Sequence, residues 1–190
     1  PVNCNFLPIS GKSDYAINIG DERKGSDVIE PELGGTGPPN LNIKPDDVYW
    51  ADTKKLRDER YNFNGVNDLR SEIRLAQIID GTSHTFLIGE KYLKPESYDG
   101  VGSQGSLTYD TGDNETIFTG FNRDYQRSTY TSPQQDRFGL LLPYTFGSAH
   151  PGAMNMSMCD GSVQSISYDV EPDAYRRQGI RDDEGGYLEP

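Results

Sequence analysis

The chain has 190 residues, a length that suits one domain with its own hydrophobic core. Only 33% of the residues are hydrophobic, whereas 21 glycines and 12 prolines predict that much of the chain is loop. The formal net charge of -12 at pH 7 argues against non-specific binding to nucleic acid or to an anionic membrane, because both need a positive surface.

The N-terminal third predicts one short strand and one long loop. Residues 13–21 (SDYAINIGD) alternate polar and apolar side chains, a pattern typical of an edge strand. Residues 27–47 contain Glu-Pro, Gly-Gly, Gly-Pro-Pro and Lys-Pro steps, which exclude a regular helix and predict a surface loop.

A helix and a strand are predicted in the middle of the chain. Ser71 is a candidate N-cap for a short amphipathic helix whose apolar positions include Leu75 and Ile78. The pair Asp80-Gly81 ends this helix. Residues 85–92 (TFLIGEKY) then predict a buried strand.

The region from residue 94 to residue 137 predicts a second set of variable loops. It is rich in glycine, serine and aspartate and contains one candidate strand at residues 116–121. Because loops commonly carry binding function, individual specificity is expected here.

The clearest local pattern is a β-hairpin within residues 146–169. Asp160-Gly161 predicts a two-residue turn, since this pair readily takes positive backbone angles. Alternation on the two sides of the turn predicts the following inward side chains: Met154, Met156, Met158, Val163, Ile166 and Tyr168. His150 precedes the hairpin, and we expect its side chain to bond to backbone across the turn.

The C-terminal part predicts a short helix at residues 171–178. A proline at its start and acidic residues in its first turn favour the helix, and Gly179 can end it. Residues 181–190 predict an acidic tail that is ordered only where something holds it.

Cysteines and acidic residues supply the candidate covalent and metal sites. Cys4 and Cys159 are candidates for one long-range disulfide, and two buried free thiols are the alternative. Structural calcium is the one candidate cofactor, because calcium takes oxygen ligands from acidic loops. Its candidate ligands lie in one turn-rich segment: Asp110, Asp113, Asn114 and Glu115.

The spacing from His150 to Asp160-Gly161 resembles the H-x9-DG signature of a prepilin-like family abundant in planctomycete bacteria. Two further blocks are similar to the family. One is the Asp-Tyr-Ala segment at residues 14–21, and the other is RLAQIIDGTSHTFLIGEKYL, which contains the DGTS turn at Asp80-Gly81 and the GEK strand with Gly89 and Glu90. His84 departs from the family, which usually has asparagine there.

The resemblance implies the fold and the class of function. It implies a single α+β domain over residues 1–190, a pilin- or pseudopilin-like head with an antiparallel β-sheet, few short helices and long loops. It also implies a non-enzymatic, extracytoplasmic protein that assembles at the cell surface or in a secretion apparatus, with copies of itself or other pilin-like proteins as partners. Nucleic acid is not an expected partner, and membrane attachment is expected only through an N-terminal helix that the given sequence lacks.

Two other functions stay open at this point. The first is an extracellular carbohydrate- or protein-binding module that uses aromatic rings of the variable loops, namely Tyr109, Phe118, Tyr125 and Tyr130. The second is a hydrolase, which requires two carboxylates, or His150 with one carboxylate, to converge in a cleft.

Overall fold

The structure is a computed structural model that describes residues 11–21, 63–68, 71–100, 106–117 and 121–183. Within these ranges a five-stranded sheet, a two-stranded sheet and one α-helix form the regular structure, so the predicted α+β class with few helices is confirmed. The strands are β1 Tyr15–Asn18, β2 Phe86–Glu90, β3 Gln126–Arg127, β4 Gln134–Gln135, β5 Gly147–Ser148, β6 Ala153–Met158 and β7 Val163–Ser167, and helix α1 is Pro172–Gly179.

The five-stranded sheet has the order β3-β1-β2-β6-β7. β1 pairs with β2 in antiparallel fashion and with β3 in parallel fashion, so the strand predicted at residues 13–21 is inside the sheet and not at its edge. β6 pairs with β2 and β7, both antiparallel. β7 is therefore the last strand on one side of the sheet.

The hydrophobic core lies on one face of this sheet. Met154, Met156 and Met158 are completely buried, as their alternation predicted, and they pack with aromatic residues that include Phe146. Ile166 of β7 is also buried. Val163, however, is 68% exposed, because the period of two places it on the opposite face, so its predicted inward position is wrong.

The hairpin loop is one residue longer than the predicted two-residue turn. The amide of Gly161 donates to the carbonyl of Met158 at 3.0 Å, and the amide of Met158 donates to the carbonyl of Ser162 at 2.8 Å. This pattern leaves residues 159–161 as a three-residue loop, with Gly161 at φ 86°, where a side chain would be strained.

The loop also joins two of the sequence motifs. The amide of Asp160 donates to the carbonyl of Thr82 at 3.0 Å, so the hairpin loop is bonded to the DGTS turn. The carboxylate of Asp160 accepts from the amide and hydroxyl of Ser162, and these bonds lower the pKa of Asp160.

The helix predicted from Ser71 is wrong in extent. Only a 3-10 turn forms at Leu75–Gln77, and Leu75 and Ile79 are exposed. Without a buried apolar face, a short helix gains too little packing energy to form. The backbone of this segment bonds instead to the C-terminal part of the chain, since the amide of Ile79 donates to the carbonyl of Arg181 at 2.8 Å.

Helix α1 confirms the helix predicted near the C-terminus. The carboxylate of Glu171 caps it by accepting from the amides of Asp173 and Ala174. The first residues of the predicted acidic tail are held, because the amide of Asp183 donates to Asp80 Oδ2 at 2.8 Å.

Some predictions fall outside the described residues. These are the loop at residues 27–47, the tail beyond residue 183, and Phe118 with the rest of 118–120. Residues 116 and 117 are not in a strand.

A second 3-10 turn forms at Pro95–Ser97. None of the helices in the described ranges could span a lipid bilayer.

Candidate functional site

A cleft of about 530 Å³ opens where β1 begins and β2 ends. These ends lie side by side because the two strands are antiparallel, with Tyr15 opposite Glu90. Loops around residues 98, 113, 136 and 148–150 complete the walls. The cleft is lined by Lys12, Asp14, Tyr15, Glu90, Lys91, Leu93, Tyr98, Asp113, Asp136, Ser148, Ala149 and His150.

Glu90 and His150, each part of a different sequence motif, meet in this cleft. His150 Nε2 lies 3.1 Å from Glu90 Oε1, while Glu90 Oε2 accepts from the amide of Asn155 at 2.6 Å. The expectation that the His150 side chain bonds to backbone is therefore wrong. The hairpin start is held instead by the hydroxyl of Tyr168, which donates to the carbonyls of Ser148 and His150.

A buried ion pair forms the floor of the cleft. Lys91 Nζ donates to Asp113 Oδ1 at 2.7 Å, and Lys12 Nζ lies 3.2 Å from Asp113 Oδ2. Lys91 is buried, and this burial lowers its pKa, while the charge of Asp113 acts in the opposite direction. The carboxylate of Asp113 is thus shared by the ammonium groups of Lys12 and Lys91.

The acidic segment predicted as a calcium site adjoins this ion pair. The carboxylate of Asp110 accepts from the amides of Gly112 and Lys94, at 2.8 and 3.2 Å. Asn114 and Glu115 contact each other at 3.4 Å. In the described ranges no group of three His, Cys, Asp or Glu side chains is arranged to hold a metal ion, and calcium binding stays a prediction.

Asp136 and Tyr98 also line the cleft. The hydroxyl of Tyr98 donates to Asp136 Oδ2, and Asp136 Oδ1 accepts from the amide of Leu93 at 3.0 Å. Burial raises the pKa of Asp136, and burial together with the neighbouring Asp136 raises the pKa of Tyr98. The carboxylate is therefore held in place by two protein donors.

Behind the floor lie two charged residues that the sequence pattern did not reveal. Arg127 is completely buried in β3, and its guanidinium donates to the carbonyls of Thr145 and Gly112, both at 3.1 Å. Burial lowers the pKa of Arg127 to about 10 and raises the pKa of Asp124 to about 6. β3 has only two residues, too few for an alternating pattern to show that Arg127 faces inward.

The aromatic residues of the variable loops are unevenly exposed. Tyr109 and Tyr125 are half-buried, and burial raises the pKa of Tyr125 to about 12. Tyr130 is 51% exposed, with the guanidinium of Arg176 at 5.6 Å from its ring centroid. Two exposed rings that the sequence did not single out, Tyr15 and Tyr98, line the cleft instead.

The candidate disulfide lies partly outside the described residues, because Cys4 is not among them. Cys159 is half-buried at the hairpin loop, with its sulfur 3.8 Å from the carbonyl oxygen of Phe86. Burial raises the pKa of the Cys159 thiol to about 11. The pairing with Cys4 stays a prediction.

The fold and its contacts define an α+β head domain in which the H-x9-DG hairpin is bonded to the DGTS turn and the GEK strand. Residues 21–173 match the family described as "Protein of unknown function (DUF1559)". The chain therefore belongs to this prepilin-type H-X9-DG family, which confirms the resemblance in the sequence. No curated protein and no solved structure matches the chain.

Proposed function

We propose that this chain is the head of a non-enzymatic, extracytoplasmic pilin-like protein that assembles through the outer edge of β7. Its partners are further copies of the chain or related surface proteins. Membership of a prepilin-type family supports the location, and an acidic surface suits a protein exposed to solvent.

The outer edge of β7 is the observation that carries this proposal. Residues 162 and 168 bond to the β6 side of the hairpin, through Met158 to Ser162 and Tyr168 to Gly152. Because alternate residues of a strand face opposite sides, the amides of Val163, Ser165 and Ser167 point away from β6. In the described part of the chain these three amides have no hydrogen-bond partner.

The side chains of β7 do not protect this edge. The strand VQSIS has no proline and no charged residue, the two features that commonly block edge-to-edge pairing. All of its residues except Ile166 are exposed. An extended segment of a partner can therefore continue the sheet by hydrogen bonding to the backbone.

Ser148, two residues before His150, is not placed as a nucleophile beside the imidazole. His150 and Glu90 do converge in a cleft, as a hydrolase would require. However, the Ser148 hydroxyl accepts from the backbone amide of His150 and contacts the Tyr168 hydroxyl, so its bonds do not run to the imidazole. A serine nucleophile is activated by a hydrogen bond from its hydroxyl to a base, and the bonds of Ser148 do not provide one to His150.

Light scattering of two variants at position 165 tests the assembly proposal. Ser165→Pro removes one outward amide and leaves the bonds to β6 intact, so it should reduce association strongly. Ser165→Ala keeps the amide and should associate like the wild type. A wild type that stays monomeric at high concentration and moderate salt, or a Ser165→Pro variant that associates equally well, would contradict the proposal.

A further inference from the structure

We propose that the cleft between β1 and β2 binds a neutral saccharide. This site is distinct from the assembly edge, since it uses the ends of β1 and β2 and no residue of β7. Its lining does not include Tyr109, Tyr125 or Tyr130, the rings singled out in the sequence that the structure describes. A volume of about 530 Å³ lies within the range of small-molecule sites.

Two tyrosine rings give the cleft its apolar surface. Tyr15 is 54% exposed and Tyr98 is 50% exposed, and both line the cleft. A flat aromatic face packs well against the C–H face of a sugar ring, which is apolar although its edge is polar. Tyr98 is also fixed in position by its bond to Asp136, so stacking on it costs little side-chain entropy.

The polar groups of the cleft suit hydroxyls, which donate and accept hydrogen bonds equally well. Glu90 and Asp136 are each held by protein donors and keep lone pairs for further hydroxyl donors. Lys12 and His150 add donors at the rim, where His150 is largely exposed. Fixed acceptors and donors beside aromatic faces can orient a polyhydroxyl ligand.

The charges of the cleft favour a neutral ligand. Its lining carries four carboxylates, namely Asp14, Glu90, Asp113 and Asp136, and two ammonium groups. Both ammonium groups are paired with Asp113, so an anionic ligand would meet a surplus of negative charge. A cationic ligand would have to compete with the existing donors for Glu90 and Asp136.

Titration with short neutral oligosaccharides tests this site. The probes are the tetramers of glucose, mannose and N-acetylglucosamine, with a hyaluronan tetrasaccharide as the anionic control. Calorimetry gives the affinity, and NMR shift changes at the amides of residues 148–150 locate the ligand. We expect at least one neutral probe to bind there at millimolar concentration or below, and hyaluronan to bind much more weakly.

Tyrosine variants separate this cleft from the exposed ring of Tyr130. Tyr98→Ala and Tyr15→Ala should each weaken binding by about tenfold, whereas Tyr98→Phe should retain most of the affinity. Tyr130→Ala is the matched control, because Tyr130 is equally exposed but lies outside the cleft. Circular dichroism checks that each variant is folded.

Four results would overturn the proposal. They are no binding by any neutral probe, equal binding of hyaluronan, shift changes that avoid residues 148–150, and loss of binding in Tyr130→Ala alone. The shift map uses the wild type, so it decides the question even where a tyrosine variant does not fold. Repeating the titration with Ser165→Pro separates saccharide binding from assembly, because that variant should bind normally.

Discussion

Asp124, which lies behind the cleft, has a raised pKa that makes the stability of the fold depend on pH. Asp124 Oδ1 accepts from the amide of Glu115 at 2.6 Å, whereas Oδ2 is buried and has no hydrogen-bond partner among the described residues. Burial therefore raises the pKa of Asp124 from an ordinary 3.8 to about 6, although Lys91 and Arg127 oppose this change. A buried ionised carboxylate here costs stability at neutral pH.

We predict that Asp124→Asn removes a decline in stability with rising pH. The folded state binds the Asp124 proton more tightly than the unfolded state, so the free energy of unfolding falls as pH rises from 3.8 to about 6. The variant stays neutral and should exceed the wild type by about 1–3 kcal/mol at pH 7. Urea unfolding across this pH range measures the difference.

Asp160 provides a control with the opposite sign. Its folded pKa is lowered by Ser162, so its contribution to stability is present above pH 3.8 and is lost as pH falls through the lowered pKa. Asp160→Asn should therefore reduce the acid-induced loss of stability. Parallel pH profiles for wild type and Asp124→Asn would contradict the prediction for Asp124.

The sequence identified some of the cleft residues but not their contacts. Glu90 and His150 were marked by their motifs, yet the local pattern gave no sign that they pair across 60 positions. Their contact depends on the pairing of β2 with β6, which local periodicity does not specify. Tyr98 and Asp136 carry no local signal, and the GEK motif contains Lys91 without indicating its contact with Asp113, because these roles come from tertiary contacts.

Among the secondary-structure elements, β2 is closely covered by side chains of the core at Gly89. A Cβ atom at this position would lie 2.6 Å from Met156 Cε and 2.9 Å from Phe146 Cδ1, and both of these side chains are completely buried. The contact explains why the GEK strand has no side chain where it crosses the core. A glycine in a strand thus marks close packing here.

We predict that Gly89→Ala destabilises the fold by about 1–3 kcal/mol, because the added methyl group overpacks a filled core. Gly11→Ala is the matched control, since nothing in the described part of the chain lies within 4 Å of its Cβ position, and it should change stability by less than about 0.5 kcal/mol. Denaturant unfolding of both variants makes the comparison. Equal stability of the two would show that Met156 moves aside without cost.

Elements with strong local signals were predictable, and those that depend on packing were not. The hairpin and α1 carry alternation, a turn pair and a helix cap in their own sequence. The segment after Ser71 has a helical pattern as well, but Leu75 is exposed. The fold therefore overrides the pattern and leaves a single 3-10 turn there.

For the molecule as a whole, assembly has to overcome charge repulsion. A net charge of -12 on each copy opposes the approach of a second copy, and salt screens this repulsion. Pairing along β7 should therefore strengthen as ionic strength rises from low to moderate. Among the described strands, β7 pairs only with β6, so its other edge is free. In the sheet order β7 lies at the opposite end from β3, which belongs to the variable loops.

Backbone hydrogen exchange along β7 tests assembly through this edge most directly. In dilute solution the amides of Val163, Ser165 and Ser167 should exchange fast, whereas those of Gln164 and Ile166 are protected by β6. At high concentration and moderate salt we expect the three outward amides to become protected. If they exchange equally fast while light scattering shows association, the contact lies elsewhere and the proposal of edge assembly is contradicted.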